Sequence, residues 1–247
     1  MQEQGCSQAE SRDRTEDALL KAKAERRLSI TALICTLNEE ESLPHVLPRI
    51  PDWVDEVLLV DGHSRDRTVE VARELRPNIR VVYQPGEGKG DALRYGIQQA
   101  TGDIIVTLDA DGQTNPENMA DFVNPLLNGY DFSKGSRFLN LRPNITPTRR
   151  FGNWMFTVLT NMLFGTRYTD LCAGYNAFWK RIYEKLDPDG TSFLDEPTIN
   201  IKIKKAGLRV VEVPQPDVGR ITGKGKNHNL RQGWRILKNI LRERFRG

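Results

Sequence analysis

Cysteine and histidine are scarce in this chain, three of each among 247 residues. Cys6, Cys35 and Cys172 lie far apart, and neither they nor His45, His63 and His228 show metal-type or triad spacing. A zinc cluster, a disulfide framework and a histidine-activated nucleophile are therefore excluded, and reduced thiols are expected. Long apolar runs are missing too. The strongest, Phe151 to Phe164, is interrupted by Asn153, Thr157, Thr160 and Asn161, and it falls short of the roughly 20 residues a spanning helix needs. The opening MQEQGCSQAESRDRTED mixes charges without the apolar centre of a secretory signal, so a cytoplasmic location is the expectation.

The chain does contain enough apolar residues, 38%, to bury a sizeable core. Its net charge of +3 is unevenly spread: Arg220 to Gly247 carries nine Lys and Arg against one Glu, so the remainder is net acidic. A basic end of this kind suits phosphate groups, an anionic lipid surface or nucleic acid, and it equally suits a solvated helix.

From Leu28 onward, strand-like and helix-like segments alternate. Residues 28–37, 54–61, 79–83 and 103–109 are rich in β-branched side chains, and helical patterns fall between them near 41–50, 66–76 and 90–101. Successive βα units predict an α/β fold with a mostly parallel, doubly wound, Rossmann-like sheet covered by helices on both faces. Ligands then bind at the carboxyl edge, where these segments end in Asn38-Glu39, Asp61-Gly62, Gln84 and Asp109-Ala110-Asp111. The second half predicts a helix near 115–127, a strand at 131–137, a basic loop at 138–150 and an apolar helix at 151–164. A strand at 174–179, a helix near 197–206 and a strand at 208–214 follow, and then a linker, 215–229, with loop-type Pro and Gly residues. We divide the chain into an appendage, 1–27, whose helical candidate is TEDALLKAKAERR, a main domain, 28–228, and a basic amphipathic helix, 229–247.

The chemistry-bearing stretches sit at the strand ends. In VTLDADGQ, Asp109 and Asp111 are two apart; in an extended segment such side chains share a face and can hold one cation. Gly112 permits a turn, and Gln113 adds a neutral oxygen suited to Mg2+ or Mn2+. The alternative is a solvated polar turn, and an EF-hand loop is excluded because its sixth position here is Thr114. In VDGHSRDRT, Asp66 is placed to cap a helix, whereas Asp61 has no visible local duty and is free to accept bonds from a base or ribose. GEGKGD is a Gly-rich turn before a helix but matches neither the Rossmann nor the P-loop fingerprint. Lys134, Arg137, Arg142, Arg149 and Arg150 then form a basic stretch able to bracket a diphosphate opposite the acidic turn.

Taken together, TLNEEESL, VDGHSRDRT, GKGDALRYGI, GDIIVTLDADGQ, GSRF, DLCAGYNAF and KAGLRVVEVP resemble, in order and spacing, family 2 glycosyltransferases of the GT-A fold. The branch most similar transfers mannose or glucose to dolichyl or polyprenyl phosphate, and the resemblance runs from about Ile30 to Arg244. It implies that Asn38, Glu39 and Asp61 border the nucleotide pocket, that Asp109 contacts the nucleotide-sugar, and that Asp111 and Gln113, with Asp109, hold Mg2+ or Mn2+. Lys89, Arg137 and Arg150 would lie near donor and phosphate. Cys35 departs from the proline or small residue common in the first motif, and the C-terminal transmembrane pair of some members is absent from this sequence.

The implied reaction is an inverting hexosyl transfer from a donor of the GDP-mannose or UDP-glucose/UDP-GlcNAc type. A lipid phosphate acceptor arrives ionised, while a hydroxyl acceptor needs a carboxylate base. Asp195 and Glu196 are the candidates, with Asp170 as another, although Asp195 or Glu196 equally suits capping of the helix that follows. Leu230, Trp234, Leu237, Leu241 and Phe245 recur at helical spacing beside Arg231, Arg235, Lys238 and Arg242. That pattern suits peripheral contact with an anionic membrane, or packing on the protein's own core or on another subunit. A pyrophosphorylase would place a Gly-rich, Arg-bearing loop where this chain has CTLNEEE, and no RNA-type aromatic platform or major-groove motif accompanies the basic tail, so nucleic acid is not an expected partner.

Overall fold

Segments buried on both faces of a sheet read as continuous β-branched runs, and ITALICT and EVLLVD, together with IIVTLD, become three central strands for that reason. The computed structural model describes residues 2–139, 145–186, 196–216, 219 and 230–245. Helix α1 (Gln2–Arg26) precedes β1 (Ile30–Thr36), short helix α2 (Leu43–Val46), β2 (Glu56–Asp61), α3 (Thr68–Leu75) and β3 (Arg80–Tyr83). Next come α4 (Lys89–Gln99), β4 (Ile104–Asp109), α5 (Met119–Leu127), β5 (Phe132–Ser136) and α6 (Pro147–Phe164). The chain continues through β6 (Asn176–Trp179), α7 (Tyr183–Leu186), α8 (Glu196–Lys205), β7 (Val210–Pro214) and α9 (Leu230–Phe245).

The seven strands form one sheet in the order β3-β2-β1-β4-β6-β5-β7. Only β6 runs antiparallel to its neighbours. The α/β expectation thus holds. The helix expected near 41–50 is broken, however, into α2 and a 3-10 turn at Leu47–Arg49, because Pro44 and Pro48 supply no N–H to a continuous ladder. The loop expected at 138–150 is shorter than anticipated, since Pro147 takes a first-turn position of α6 and draws Arg149 and Arg150 into the helix. Gly165, left-handed at φ 63, stops that helix. Most of the 215–229 linker lies outside the described residues.

Two apolar cores result. The larger lies around the sheet and includes Leu33, Val60 and Phe122, with Phe122 stacked on Tyr175 at 4.0 Å. Leu19 of α1 is fully buried in this core, and Lys23 ties the same helix to the Trp53 carbonyl at 2.6 Å and to Asp55 at 2.8 Å. The smaller joins α6, α8 and α9 through Phe156, Tyr168, Leu171, Ile201, Ile236 and Ile240.

Helix α4 crosses the sheet so closely that a Cβ at Gly96 would come within 2.4 Å of the Leu33 Cδ1 and 2.7 Å of the Val60 Cγ2. Gly96→Ala should therefore destabilise the fold by about 1–3 kcal/mol through overpacking, read as a lower urea midpoint with an unchanged slope.

Candidate active site

Strands β1, β2 and β3 step outward in one direction, and the chain then returns to place β4 on the other side of β1. Such a reversal opens a crevice at the carboxyl edge between β1 and β4. Register fixes what lines it: Cys35 pairs with Asp109, Thr36 with Asp61, and Asp61 with Tyr83. Cys35 adds no reactive thiol there, since burial pushes its pKa up to about 12.

On the β2 side, Asn38 sits at φ 57 and accepts from the Arg65 amide at 2.8 Å, while its own N–H donates to the Ser64 hydroxyl at 2.9 Å. Glu39 accepts from the Ser42 hydroxyl at 2.9 Å. Asp66 takes the amides of Thr68 (3.0 Å) and Glu40 (3.2 Å), as a cap would. Asp61 corrects an expectation. It is buried and accepts from the Ser64 amide at 2.8 Å, the Ser64 hydroxyl at 2.6 Å and the Thr36 hydroxyl at 3.2 Å, so it has a full local duty in holding this turn.

Across the switch, Lys89 opens α4 just after Gly88, which is left-handed at φ 83. Its ammonium lies 2.7 Å from Asp109 and 2.7 Å from Glu196, at the start of α8. Desolvation alone would lower the Lys89 pKa, but the two carboxylates outweigh it and hold that pKa well above the ordinary lysine value. Strand β4 stops at Asp109, and Asp111 falls in the turn beyond, where Gly112 takes φ 73 and the Gln113 amide donates to Asp111 at 3.1 Å. The side-chain alternation invoked for these two aspartates therefore ends two residues short of Asp111, because the carboxylate closes a local turn. Asp195 lies outside the described residues.

The basic stretch is arranged differently from its expected role. Lys134 is fully buried; it donates to the Asp170 and Gly135 carbonyls and lies 3.8 Å from Glu212. Burial lowers its pKa even with Asp170 and Glu212 near. Arg137 grips Asp170 bidentately, at 2.7 and 3.0 Å, and adds its backbone amide at 3.1 Å. Burial would raise the Asp170 carboxyl, but the Arg137 bond and charge, helped by Lys134, hold it at about 2. Lys134 thus belongs to the interior, and the guanidinium of Arg137 is already partnered by a carboxylate. Arg142 lies outside the described residues, and Arg149 and Arg150 are exposed on the first turn of α6.

The residues brought together at the crevice are Asp109, Lys89 and Glu196, with the Asp111–Gln113 turn next to them in sequence. Asp109, Asp111 and Gln113 are hard oxygen donors suited to Mg2+ or Mn2+, ions usually held by one or two carboxylates plus substrate phosphates. Among the described residues, no group of three His, Cys, Asp or Glu side chains could hold a metal ion. Two carboxylates and an amide oxygen are the donor chemistry of an ion shared with a phosphate ligand. Gly174 escaped the sequence reading although its motif did not: a Cβ there would lie 2.7 Å from Asp109 and 2.8 Å from Lys89, so the ion pair needs glycine at this place. Ser64 and Glu212 were missed as well, since neither residue type announces a partner distant in sequence.

The family model described as Glycosyl transferase family 2 matches residues 31–187. Glycosyltransferase AglJ of Haloferax volcanii is 29% identical over 221 residues, covering 87% of this chain and 71% of that protein. A dolichyl-phosphate hexose transferase of the same organism is 30% identical over 216 residues, covering 86% of this chain and 92% of its own. Among solved structures, glucosyl-3-phosphoglycerate synthase from Mycobacterium tuberculosis, crystallised with Mn2+, UDP and phosphoglyceric acid, superposes with a TM-score of 0.69 at 20% identity. That match covers 91% of this chain and 81% of the synthase, and it speaks for the shared GT-A fold.

Removing Arg137 leaves the Asp170 carboxylate buried without its main partner. Arg137→Ala should cost about 3 kcal/mol at neutral pH. A carboxyl depressed to about 2 contributes stability above its unfolded value near 4 and loses it as pH falls through the folded one. Urea unfolding of both proteins from pH 7 to pH 2 should therefore show the gap narrowing below about pH 4.

Proposed function

The chain belongs to glycosyl transferase family 2, and we propose that it moves a hexose from a nucleotide-sugar to a polyprenyl phosphate with inversion at the anomeric carbon. The observation that carries this reading is the Lys89 ammonium held 2.7 Å from both Asp109 and Glu196 at the β1/β4 crevice. A nucleoside diphosphate leaving group develops negative charge as its bond to the sugar breaks, and one lysine facing two carboxylates beside a metal-suited acidic turn makes a net negative set that would hold the cation offsetting that charge. The dolichyl-phosphate hexose transferase relative supports the acceptor, and the synthase crystallised with Mn2+ and UDP supports the donor class and the metal.

In the step itself, a phosphate oxygen of the acceptor bonds to the anomeric carbon from the side opposite the diphosphate. The bond from that carbon to the diphosphate oxygen breaks, and its electron pair leaves with the nucleoside diphosphate. No proton changes hands, because a phosphate monoester is already ionised. Asp109, Asp111 and Gln113 would hold Mg2+ or Mn2+, which when bound supplies positive charge to the leaving diphosphate. Asn38, Glu39 and Asp61 line the nucleotide side of the crevice, with Asp61 acting through Ser64 and the turn it holds. Arg137 shapes the phosphate side through Asp170, and Arg150, exposed on the first turn of α6, would reach toward the donor phosphates. Glu196 accepts the Lys89 ammonium, so drawing a proton onto its carboxylate would weaken that pair. Its role is therefore to position Lys89; Asp195 is the neighbouring carboxylate for an acceptor that brings a proton.

Sugar release from a panel of UDP- and GDP-sugars, with Mn2+ and a short polyprenyl phosphate, tests the assignment. Asp111→Ala should lose about 100-fold or more in kcat, and Glu196→Gln should keep kcat within about tenfold, because a phosphate acceptor needs no base. Metal-independent turnover, full activity of Asp111→Ala, or transfer only to hydroxyl acceptors would overturn it.

A further inference from the structure

Helix α6 buries polar side chains and exposes apolar ones. Its buried positions are Asn153, Phe156, Thr157 and Thr160, three polar side chains in four, with Leu159, Leu163 and Phe164 partly buried against the smaller core. Beyond the first turn its exposed positions are Phe151, Trp154, Met155, Val158 and Met162, all apolar, with Trp154 58% and Met162 78% exposed. An amphipathic helix on a water-facing surface shows the opposite arrangement. The reversal also carries an internal cost, because Asn153 Nδ2 and the hydroxyls of Thr157 and Thr160 are buried without a hydrogen-bond partner among the described residues.

Helix α9 packs beside α6 and repeats the theme. It buries Ile236 and Ile240, while Trp234, Leu241 and Phe245, spaced seven and four residues apart, form a stripe on the opposite side. Phe245 is 84% exposed. Of the four tryptophans, the two on these helices are the exposed ones, and Trp53 and Trp179 are buried. The charges around these apolar stripes have one sign. Helix α6 contains no acidic residue, and its first turn exposes Arg149 and Arg150. On α9, Arg235, Lys238, Arg242 and Arg244 are exposed, while Glu243 is buried against Lys205. Among the described residues, no helix is long and apolar enough to cross a membrane.

We propose that the outer faces of α6 and α9 together form a docking surface for an anionic lipid bilayer, lying on it with the two tryptophans in the headgroup region and the cations against the lipid phosphates. Exposed aromatic and aliphatic side chains rimmed by Lys and Arg are what an interfacial helix presents, and each basic residue near an anionic leaflet adds to the attraction. The surface is tied to the buried Arg137–Asp170 pair, since Asn153 of α6 accepts from the Leu171 amide, next to the Asp170 that holds Arg137. This surface deepens the lipid-phosphate reading and rests on it for its purpose, but its test contains no acceptor, so either can fail alone.

The full chain is mixed with phosphatidylcholine vesicles with and without phosphatidylglycerol, free of any polyprenyl phosphate, and binding is read by co-sedimentation and by tryptophan emission. Wild type should pellet with the anionic vesicles, less so at high salt, with a blue shift quenched by brominated lipid. Trp154→Ser/Met162→Ser and Trp234→Ser/Phe245→Ser should each weaken partitioning by about tenfold or more while retaining the wild-type Tm, since these side chains are exposed. Absence of binding by wild type, or undiminished binding by both variants, would overturn the proposal. So would a solution dimer that the same substitutions dissociate, which would assign the face to a second copy of this chain. Vesicle binding without sugar transfer to polyprenyl phosphate would instead leave the docking surface standing and sink the acceptor.

Discussion

The parallel pairing of β1 with β4, with Cys35 opposite Asp109, is the constraint on which the remaining architecture depends. Because β2 and β3 are already laid down on the other side of β1, this pairing forces the chain to reverse its winding direction at the sheet centre. The loops after β1 and β4 then diverge, and a crevice opens at a place where backbone groups and strand-end side chains are left without strand partners. Asp109 is at this edge because the ladder ends there. Lys89 reaches it because the β3–α4 connection crosses the same edge, and Glu196 closes the set from α8. Parts distant in sequence are thus held to about an ion-pair length by one feature of sheet order.

Charge is handled in two ways around this edge. In the crevice, one lysine faces two carboxylates in a partly solvated setting, an arrangement with a spare negative charge that favours further cations. Two strands away, Arg137, Lys134, Asp170 and Glu212 form a largely buried set in which two cations meet two carboxylates. A balanced, hydrogen-bonded set of this kind is costly to break and offers little free charge to a ligand. The difference explains why Lys134, which looks in sequence like its arginine neighbours, ends up as an internal strut that ties the end of β5 to the 168–172 segment.

Sheet, helix order and the location of the site were legible because they follow from periodicity and from the acidic and Gly-rich strand ends. Other features depended on contacts that periodicity does not encode. The break in α2 came from two prolines whose positions within the helix mattered more than its apolar pattern. Asp61 looked unoccupied because Thr36 is distant in sequence and Ser64, although in the same motif, is a residue type that does not announce a partner. The need for Gly174, which the sequence placed at the start of a strand, is visible only once Asp109 and Lys89 are brought against its backbone. Asp109 and Asp111 were assigned to one extended face, whereas a single amide bond from Gln113 curls the chain first.

The apolar content of α6 was also plain in the sequence, but its direction was not. A helix with aromatic residues and several Asn and Thr positions is expected to turn its aromatic side inward, since burial of large apolar area dominates. Here hydrogen bonds decide the orientation. Asn153 accepts the Leu171 amide, and Asn161 both donates to the Tyr168 carbonyl and accepts from the Tyr168 amide and the Thr166 hydroxyl. The segment after α6 enters the core beside the crevice and has backbone groups that must be satisfied there. Polar side chains on α6 meet that need beside Phe156, and Phe151 and Trp154 are left on the outside. The same bonds that complete the wall next to Arg137 therefore set the angle at which the apolar face is presented.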